Sequence, residues 1–95
     1  MKRYSVSELR IGGKSKNGMH WQYVSRTDDP NKVIEWFENT KIEPYVTRIY
    51  SNGRVYYDAY YIGLRIVDSQ TKEVVYCNSR INDLSDLEKI FLLSH

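Results

Sequence analysis

The clearest pattern of hydrophobic and polar positions lies in the centre of the chain. Residues 45–50 and 55–67 are rich in β-branched and aromatic side chains, which is typical of β-strands. Asn52-Gly53 lies between these two runs. A type I′ turn requires positive φ at both central residues, and because Asn and Gly tolerate it, the pair predicts a two-residue β-hairpin. The register of such a hairpin would place Tyr45 opposite Tyr60.

Three further segments alternate in the same way. They predict strands over residues 4–11, 19–26 and 74–79. The apolar residues of the first segment change sides halfway along it, and a bulge near Ser7-Glu8 would bring them back to one side. Gly63 interrupts the long run of residues 55–67, which makes it a candidate for a bend.

Two segments carry the period of a helix. The first begins at Asp28-Asp29-Pro30, where a carboxylate can cap the helix and proline suits its first turn. The second begins near Ser85 and Glu88, which have the spacing of a capping box. The element order is therefore ββαβββα. It predicts a single α+β domain over residues 1–95, in which an antiparallel sheet of about five strands carries both helices on one face.

Composition agrees with one small domain. The chain has 95 residues, of which 41% are hydrophobic and 27% are charged, and its mean hydropathy is −0.61. No apolar run approaches the length of a membrane span, and the N-terminus lacks the apolar region of a signal peptide. Cys77 is the one cysteine and has no disulfide partner in the chain. These features predict a soluble, cytoplasmic protein with no membrane association, metal or cofactor.

Tyrosine is the one compositional excess. Six of the nine tyrosines fall on the predicted central hairpin, with three arginines between them. Tyr and Arg are enriched where proteins bind one another, since each combines a large flat surface with a hydrogen-bonding tip. The pattern predicts a non-enzymatic binding module, a small inhibitor or adaptor of the kind that phages and mobile elements encode. It would engage a protein partner, or a second copy of itself, through one uncovered sheet face, and the predicted contact residues are Arg48, Tyr50, Arg54, Tyr57, Tyr61 and Arg65.

An alternative is suggested by the uneven charge. Residues 1–27 carry six Lys or Arg and one Glu, whereas residues 28–43 carry two Lys and five Asp or Glu. A basic hairpin with aromatic side chains can bind nucleic acid, because its cations attract phosphates and its rings stack on bases. The residues predicted for this alternative are Lys2, Arg3, Lys14, Lys16, Trp21, Tyr23 and Arg26.

A remote alternative comes from two short motifs. Ile49-Tyr50 and, after ten intervening residues, Tyr61-Ile62-Gly63 resemble the strand motifs of the GIY-YIG endonucleases. The resemblance implies a nuclease. However, Arg48 stands where that family has its first glycine, the residues after Gly63 predict a strand where the family has a helix with its catalytic arginine, and the metal-binding glutamate has no counterpart. We therefore expect no enzymatic activity.

Overall fold

The computed structural model describes residues 2–11, 18–82 and 84–94. The elements follow the order ββαββββα. Their bounds are β1 (Tyr4–Ile11), β2 (Met19–Thr27), α1 (Pro30–Glu38), β3 (Glu43–Ile49), β4 (Val55–Tyr60), β5 (Gly63–Asp68), β6 (Val74–Ser79) and α2 (Leu84–Ser94). The α+β class and the antiparallel pairing are as predicted. There is one strand more, because the predicted strand over residues 55–67 is divided into β4 and β5.

The strands form two sheets, so the prediction of one sheet of about five strands is wrong. A four-stranded antiparallel sheet has the order β2-β1-β5-β6, and β3 pairs with β4 in a separate two-stranded sheet. The division occurs at Tyr61, whose φ is 67°, in the left-handed region that a bulky residue rarely adopts. Gly63 then passes close to β1. A Cβ on Gly63 would lie 2.6 Å from the Leu9 Cβ, so only glycine fits this crossing.

The four-stranded sheet is covered on both faces. Residues opposite one another on neighbouring strands share a face. Val6 lies opposite Ile66, and these two form a buried cluster with Leu64 and with Phe37 of α1. The other cluster combines residues of β1, β4, the β4–β5 link, the β6–α2 link and α2, namely Leu9, Ile11, Ala59, Ile62, Ile81 and Leu87. The helices therefore lie on opposite faces, which corrects the prediction that both cover one face.

The position of the bulge explains this difference. The pairing of β1 with β2 shifts between Val6 and Ser7, close to the predicted site, but the extra residue is Val24 in β2. Strand β1 itself stays in regular register with β5. Val6 in its first half therefore points to one side of the sheet, whereas Leu9 and Ile11 in its second half point to the other. Each side then needs its own cover, which α1 provides on one face and α2 with the β3–β4 hairpin on the other.

Helix α1 begins as predicted. The Asp29 side chain accepts a hydrogen bond of 3.2 Å from the Lys32 backbone N–H, and Pro30 occupies the first turn. At the other end of the helix, the Arg80 guanidinium donates to the carbonyl oxygens of Phe37 and Thr40. A cation near the C-terminus of a helix also opposes the negative end of its dipole. No helix in the described part of the chain has the length and apolar character needed to cross a membrane.

The central hairpin turns at the predicted place with a different loop. Ile49 lies opposite Val55, and the Tyr50 N–H donates to the Arg54 carbonyl oxygen at 2.9 Å, so residues 51–53 form a three-residue loop. Gly53 takes a φ of 86°, whereas Asn52 keeps a negative φ and its side chain accepts a 2.9 Å hydrogen bond from the Arg54 N–H. The register therefore differs from the prediction, and a second shift between Val46 and Arg48 adds to the difference.

Candidate functional site

The structure separates the six predicted contact residues into several groups. Arg48, Tyr50 and Arg54 lie together near the turn of the β3–β4 hairpin. The Tyr57 ring packs 5.0 Å from the ring of Phe91 in α2.

The other two predicted residues lie outside the hairpin. The Tyr61 ring lies 5.1 Å from the ring of Trp36 in α1, and the Arg65 guanidinium lies 5.0 Å from the ring centre of Trp21 on the four-stranded sheet. The six residues therefore do not share one uncovered face, because Tyr61 breaks the alternation that would have aligned them.

One group forms an ordered surface that we call the hairpin tip, made of Arg48, Ile49, Tyr50, Arg54, Val55 and Tyr56. Arg48 lies opposite Tyr56 in the hairpin, so the two side chains share a face. Arg48 donates a 3.0 Å hydrogen bond to the Tyr50 hydroxyl, and the Tyr50 and Tyr56 rings meet at 5.1 Å. The Arg54 guanidinium lies 5.3 Å from the centre of the Tyr56 ring. This face therefore holds two cations and two phenols in mutual contact.

The opposite face of the tip is apolar. Ile49 lies opposite Val55, and their side chains are 70% and 36% exposed. An Ile that is exposed to this extent contributes nothing to the core of the domain. It instead offers apolar surface that a partner can remove from water.

A groove separates the tip from the beginning of α2. Its volume is about 470 Å³, and Arg54, Val55, Tyr57, Ser85 and Glu88 are among its lining residues. Val55 and Tyr57 give it an apolar wall, whereas Arg54 and Glu88 bring charges of opposite sign. The groove therefore combines an apolar wall with one cation and one anion.

A buried polar cluster, missed in the sequence analysis, joins the hairpin to β1. The Arg10 Nη2 donates to Asp58 Oδ2 at 2.9 Å and to the Tyr45 hydroxyl at 2.6 Å. Asp58 Oδ1 also accepts a 3.2 Å hydrogen bond from the Ile11 backbone N–H. Burial disfavours the charged form of Arg10, yet the Asp58 carboxylate and Tyr45 together raise the pKa of Arg10. Burial, aided by the negative charge of Asp58, raises the pKa of Tyr45.

This cluster was missed for a simple reason. Arg10 stands between two apolar residues of β1 and resembles any outward side chain of an alternating strand. Its partners come from β3 and β4, and their proximity depends on the division of the predicted long strand.

Two basic residues of the nucleic-acid alternative, Arg3 and Arg26, are engaged by contacts within the domain. Arg3 forms a two-pronged ion pair with Asp68, at 3.0 and 2.7 Å, and its guanidinium keeps the pKa of the Asp68 carboxyl far below its usual value. Arg26 donates to the Lys2 carbonyl at 2.8 Å and to the Ser69 hydroxyl at 2.6 Å.

The remaining residues of that alternative differ in their surroundings. Trp21 is half-buried beside Arg65, whereas Tyr23 is 57% exposed and the Lys2 side chain is also exposed. Lys14 and Lys16 lie outside the described residues. The alternative stays a prediction.

Candidate chemistry is sparse among the described residues. They contain no group of three or more His, Cys, Asp or Glu side chains that could hold a metal ion. Cys77 is exposed on β6. The tyrosines of the nuclease-like motifs lie in different settings, with Tyr50 in the hairpin tip and Tyr61 against α1, and the residues after Gly63 form strand β5.

Comparisons with known proteins give no relative: no family model, no curated protein and no solved structure matches the chain.

Proposed function

We propose that this chain is a protein-binding module that binds its partner through the hairpin tip and acts as a small inhibitor or adaptor. The observation that supports this most directly concerns one exposed turn. Ile49 is 70% exposed there, beside two arginines and two tyrosines that contact one another. Residues of these types supply most of the binding energy in protein interfaces when they enter fitted pockets.

The two guanidinium groups of the tip already contact tyrosine rings in the free chain. Each of its guanidinium groups rests on a tyrosine ring, at 5.4 Å for Arg48 with Tyr50 and at 5.3 Å for Arg54 with Tyr56. Side chains held in this way lose less conformational freedom on binding than free arginines, for which the loss is about 0.5–1.5 kcal/mol each. Full burial of Ile49 would add about 1.5–3 kcal/mol of favourable free energy.

The chemistry of the tip also defines the partner. Arg48 and Arg54 match carboxylates, for which the guanidinium has two parallel donors. Ile49 and Val55 on the other face need an apolar pocket. Since phosphate backbones offer no such pocket and Glu88 lies in the adjoining groove, a protein with acidic residues around an apolar pocket fits the tip better than nucleic acid.

The experiment compares captured proteins among variants. The tagged chain is expressed in its native host, and proteins retained by the wild type are quantified by mass spectrometry beside those retained by Ile49→Asp and by the double variant Arg48→Ala/Arg54→Ala. The matched control is Val74→Ser, at a 58% exposed position of β6. All four altered positions are exposed, so each variant should keep the wild-type circular dichroism spectrum and melting temperature.

We expect at least one host protein that the wild type and Val74→Ser retain and that both tip variants lose by at least about tenfold, which corresponds to about 1.4 kcal/mol. Retention of every captured protein by folded tip variants would show that the tip is not the binding site. Recovery of nucleic acid with the wild type, sensitive to salt and to Arg26→Ala, would favour the basic hairpin instead.

A further inference from the structure

Strand β6 forms an open outer edge of the four-stranded sheet, whose other outer strand is β2. Outer strands expose unpaired N–H and C=O groups, and natural proteins keep further strands away from them with charged side chains, prolines and bulges. Strand β2 has Arg26 and a bulge at Val24 in its second half. Strand β6 reads Val-Val-Tyr-Cys-Asn-Ser, without a charged residue or a proline, and its bulge lies near its start, at Val75.

The strands of the smaller sheet are better protected than β6. Strand β3 contains Pro44 and Arg48, and β4 contains the ion-paired Asp58. Strand β6 also offers apolar side chains to another strand, since Val74 is 58% exposed and Val75 is 45% exposed. Among the described strands, β6 is therefore the one whose outer edge is most open to pairing.

The hydrogen bonds of β6 show which of its backbone groups point outward. The Arg80 N–H donates to the Ile62 carbonyl oxygen at 2.8 Å, in line with the register of β5 and β6. Hydrogen-bonded and non-hydrogen-bonded pairs alternate along an antiparallel ladder, and this register is regular from Ser79 back to Tyr76. Cys77 and Ser79 therefore direct their N–H and C=O groups away from β5, toward the open edge.

We propose that two copies of the chain pair through β6, so that their four-stranded sheets join into one continuous antiparallel sheet. A two-fold axis perpendicular to the sheet relates the copies, and the residue on that axis lies opposite itself. With Cys77 on the axis, Ser79 lies opposite Val75 of the second copy, and Tyr76 lies opposite its Asn78. This register overlaps residues 75–79 completely and pairs the outward backbone groups of Cys77 with one another.

The sequence of β6 favours a second copy as the occupant. Like charges directly opposite one another destabilise a strand pair, and β6 has no charged side chain that self-pairing could oppose. The Asn78 side-chain amide donates to the Tyr76 hydroxyl at 3.3 Å within the strand. In the dimer each Asn78 lies opposite Tyr76 of the other copy, so the amide has an equivalent acceptor across the axis.

Pairing of this kind goes beyond the proposed function, because it does not depend on the role of the hairpin tip. No tip residue belongs to β6, and a dimer would carry two tips. Two linked tips would raise the apparent affinity for a partner that is itself dimeric or clustered, since the second contact becomes intramolecular.

Sedimentation equilibrium of the whole chain over a range of concentrations tests the dimer. We expect reversible association to twice the 11.3 kDa mass of one chain, with a Kd below about 100 μM. A single strand pair buries less surface than a permanent dimer needs, so association should be weaker than nanomolar. A wild-type chain that stays monomeric at about 500 μM would overturn the proposal and leave the edge to a strand of another protein.

Substitutions at Cys77 test the position of the axis. Cys77→Lys places two ammonium groups opposite one another and should weaken the dimer at least about tenfold, whereas Cys77→Ser should change its Kd less than about threefold. An equimolar mixture of Cys77→Lys and Cys77→Glu should recover the wild-type Kd to within about threefold, because each lysine then meets a glutamate. If Cys77→Lys dimerises like the wild type, or if the folded mixture does not recover, β6 is not the interface.

Two controls separate this interface from the hairpin tip. Val74→Ser lies beyond the paired segment, because Val74 would meet Arg80 past the end of the other strand. Ile49→Asp alters only the tip. Both variants should dimerise like the wild type, so failure of the dimer is distinguishable from failure of the tip.

Cross-linking gives a test that needs no charged variant. Cys77 is exposed, and a short bis-maleimide, which forms one carbon–sulfur bond with each thiol, should link two wild-type chains. The double variant Val74→Cys/Cys77→Ser should not be linked, since its two thiols would lie about 20 Å apart along the strands. Equal linkage from both positions, or none from Cys77, would overturn the proposal.

Discussion

Replacement of Asp58 by alanine tests whether the buried polar cluster holds the hairpin against β1. Asp58 is 7% exposed and accepts hydrogen bonds from Arg10, from the Tyr45 hydroxyl and from the Ile11 N–H. Asp58→Ala leaves the Arg10 guanidinium without a counter-charge in a site where its side chain is only 16% exposed. Removing one partner of a buried ion pair costs about 3–5 kcal/mol.

The remaining exposure of Arg10 lets water reach part of its guanidinium. We therefore expect the lower end of that range, a loss of about 3 kcal/mol in the free energy of unfolding. For a domain of this size the total is about 5–15 kcal/mol, so the loss is large but still leaves a folded protein. With a denaturant slope near 1.5 kcal/mol/M, the urea midpoint should fall by about 2 M.

The assay is urea unfolding, followed by tryptophan fluorescence and far-UV circular dichroism. A double-mutant cycle with Arg10→Met should give a coupling of at least about 1 kcal/mol between the two positions, because each single variant already breaks the pair. Glu73→Ala, at an exposed carboxylate in the β5–β6 turn, is the matched control and should cost less than about 0.5 kcal/mol. If Asp58→Ala costs less than about 1 kcal/mol, or if the effects simply add, the cluster does not secure the hairpin.

Three further outcomes follow from other contacts. Because Arg3 lowers the pKa of Asp68 in the folded state, this pair should stabilise the domain above the usual carboxyl pKa and lose that effect as pH falls below it. In urea titrations at a series of pH values, the stability of Asp68→Asn should therefore depend less on acid pH than the stability of the wild type. Gly63→Ala should destabilise the domain by about 1–3 kcal/mol, because the new methyl group meets the Leu9 side chain, and an unchanged melting temperature would contradict this close approach. Arg80→Ala should lower the free energy of unfolding by about 2 kcal/mol and speed amide hydrogen exchange in the last turn of α1, because Arg80 caps carbonyls at that end of the helix. Unaltered exchange there would contradict the capping role.

Local signals were sufficient to predict most elements of the fold. Asp29 and Pro30 predict the start of α1, because the capping hydrogen bonds of a helix join residues that are close in sequence. Asn52-Gly53 locates the turn, although its loop type depends on whether one residue or two take positive φ. The structure uses Gly53 alone.

The arrangement of the sheets was beyond local signals. Gly63 indicated a bend in the long strand, but nothing in the side chain of Tyr61 favours its φ of 67°, so the break two residues earlier was not predicted. This one dihedral divides the long strand, creates the second sheet and separates the predicted contact residues. The bulge was predicted near its true place but on the wrong strand, because an extra residue at Val24 has the same effect on pairing as one in β1.

The candidate surfaces also differ in whether local sequence or the tertiary fold brings their residues together. Arg48, Tyr50 and Arg54 lie within seven positions on one hairpin, so their proximity follows from the turn alone. The ring contacts among Trp36, Tyr61, Tyr60 and Tyr45 instead join α1, β3, β4 and the β4–β5 link, which meet only in the folded domain.

The most direct test of the hairpin tip is site-specific photo-cross-linking. A photoreactive amino acid replaces Ile49 in one version of the chain and Val74 in another, and both positions are well exposed. We predict that irradiation in native-host extract links position 49 to a defined host protein, and that excess wild-type chain suppresses the product whereas excess Arg48→Ala/Arg54→Ala does not. The same products from both positions, or none from position 49, would contradict the account.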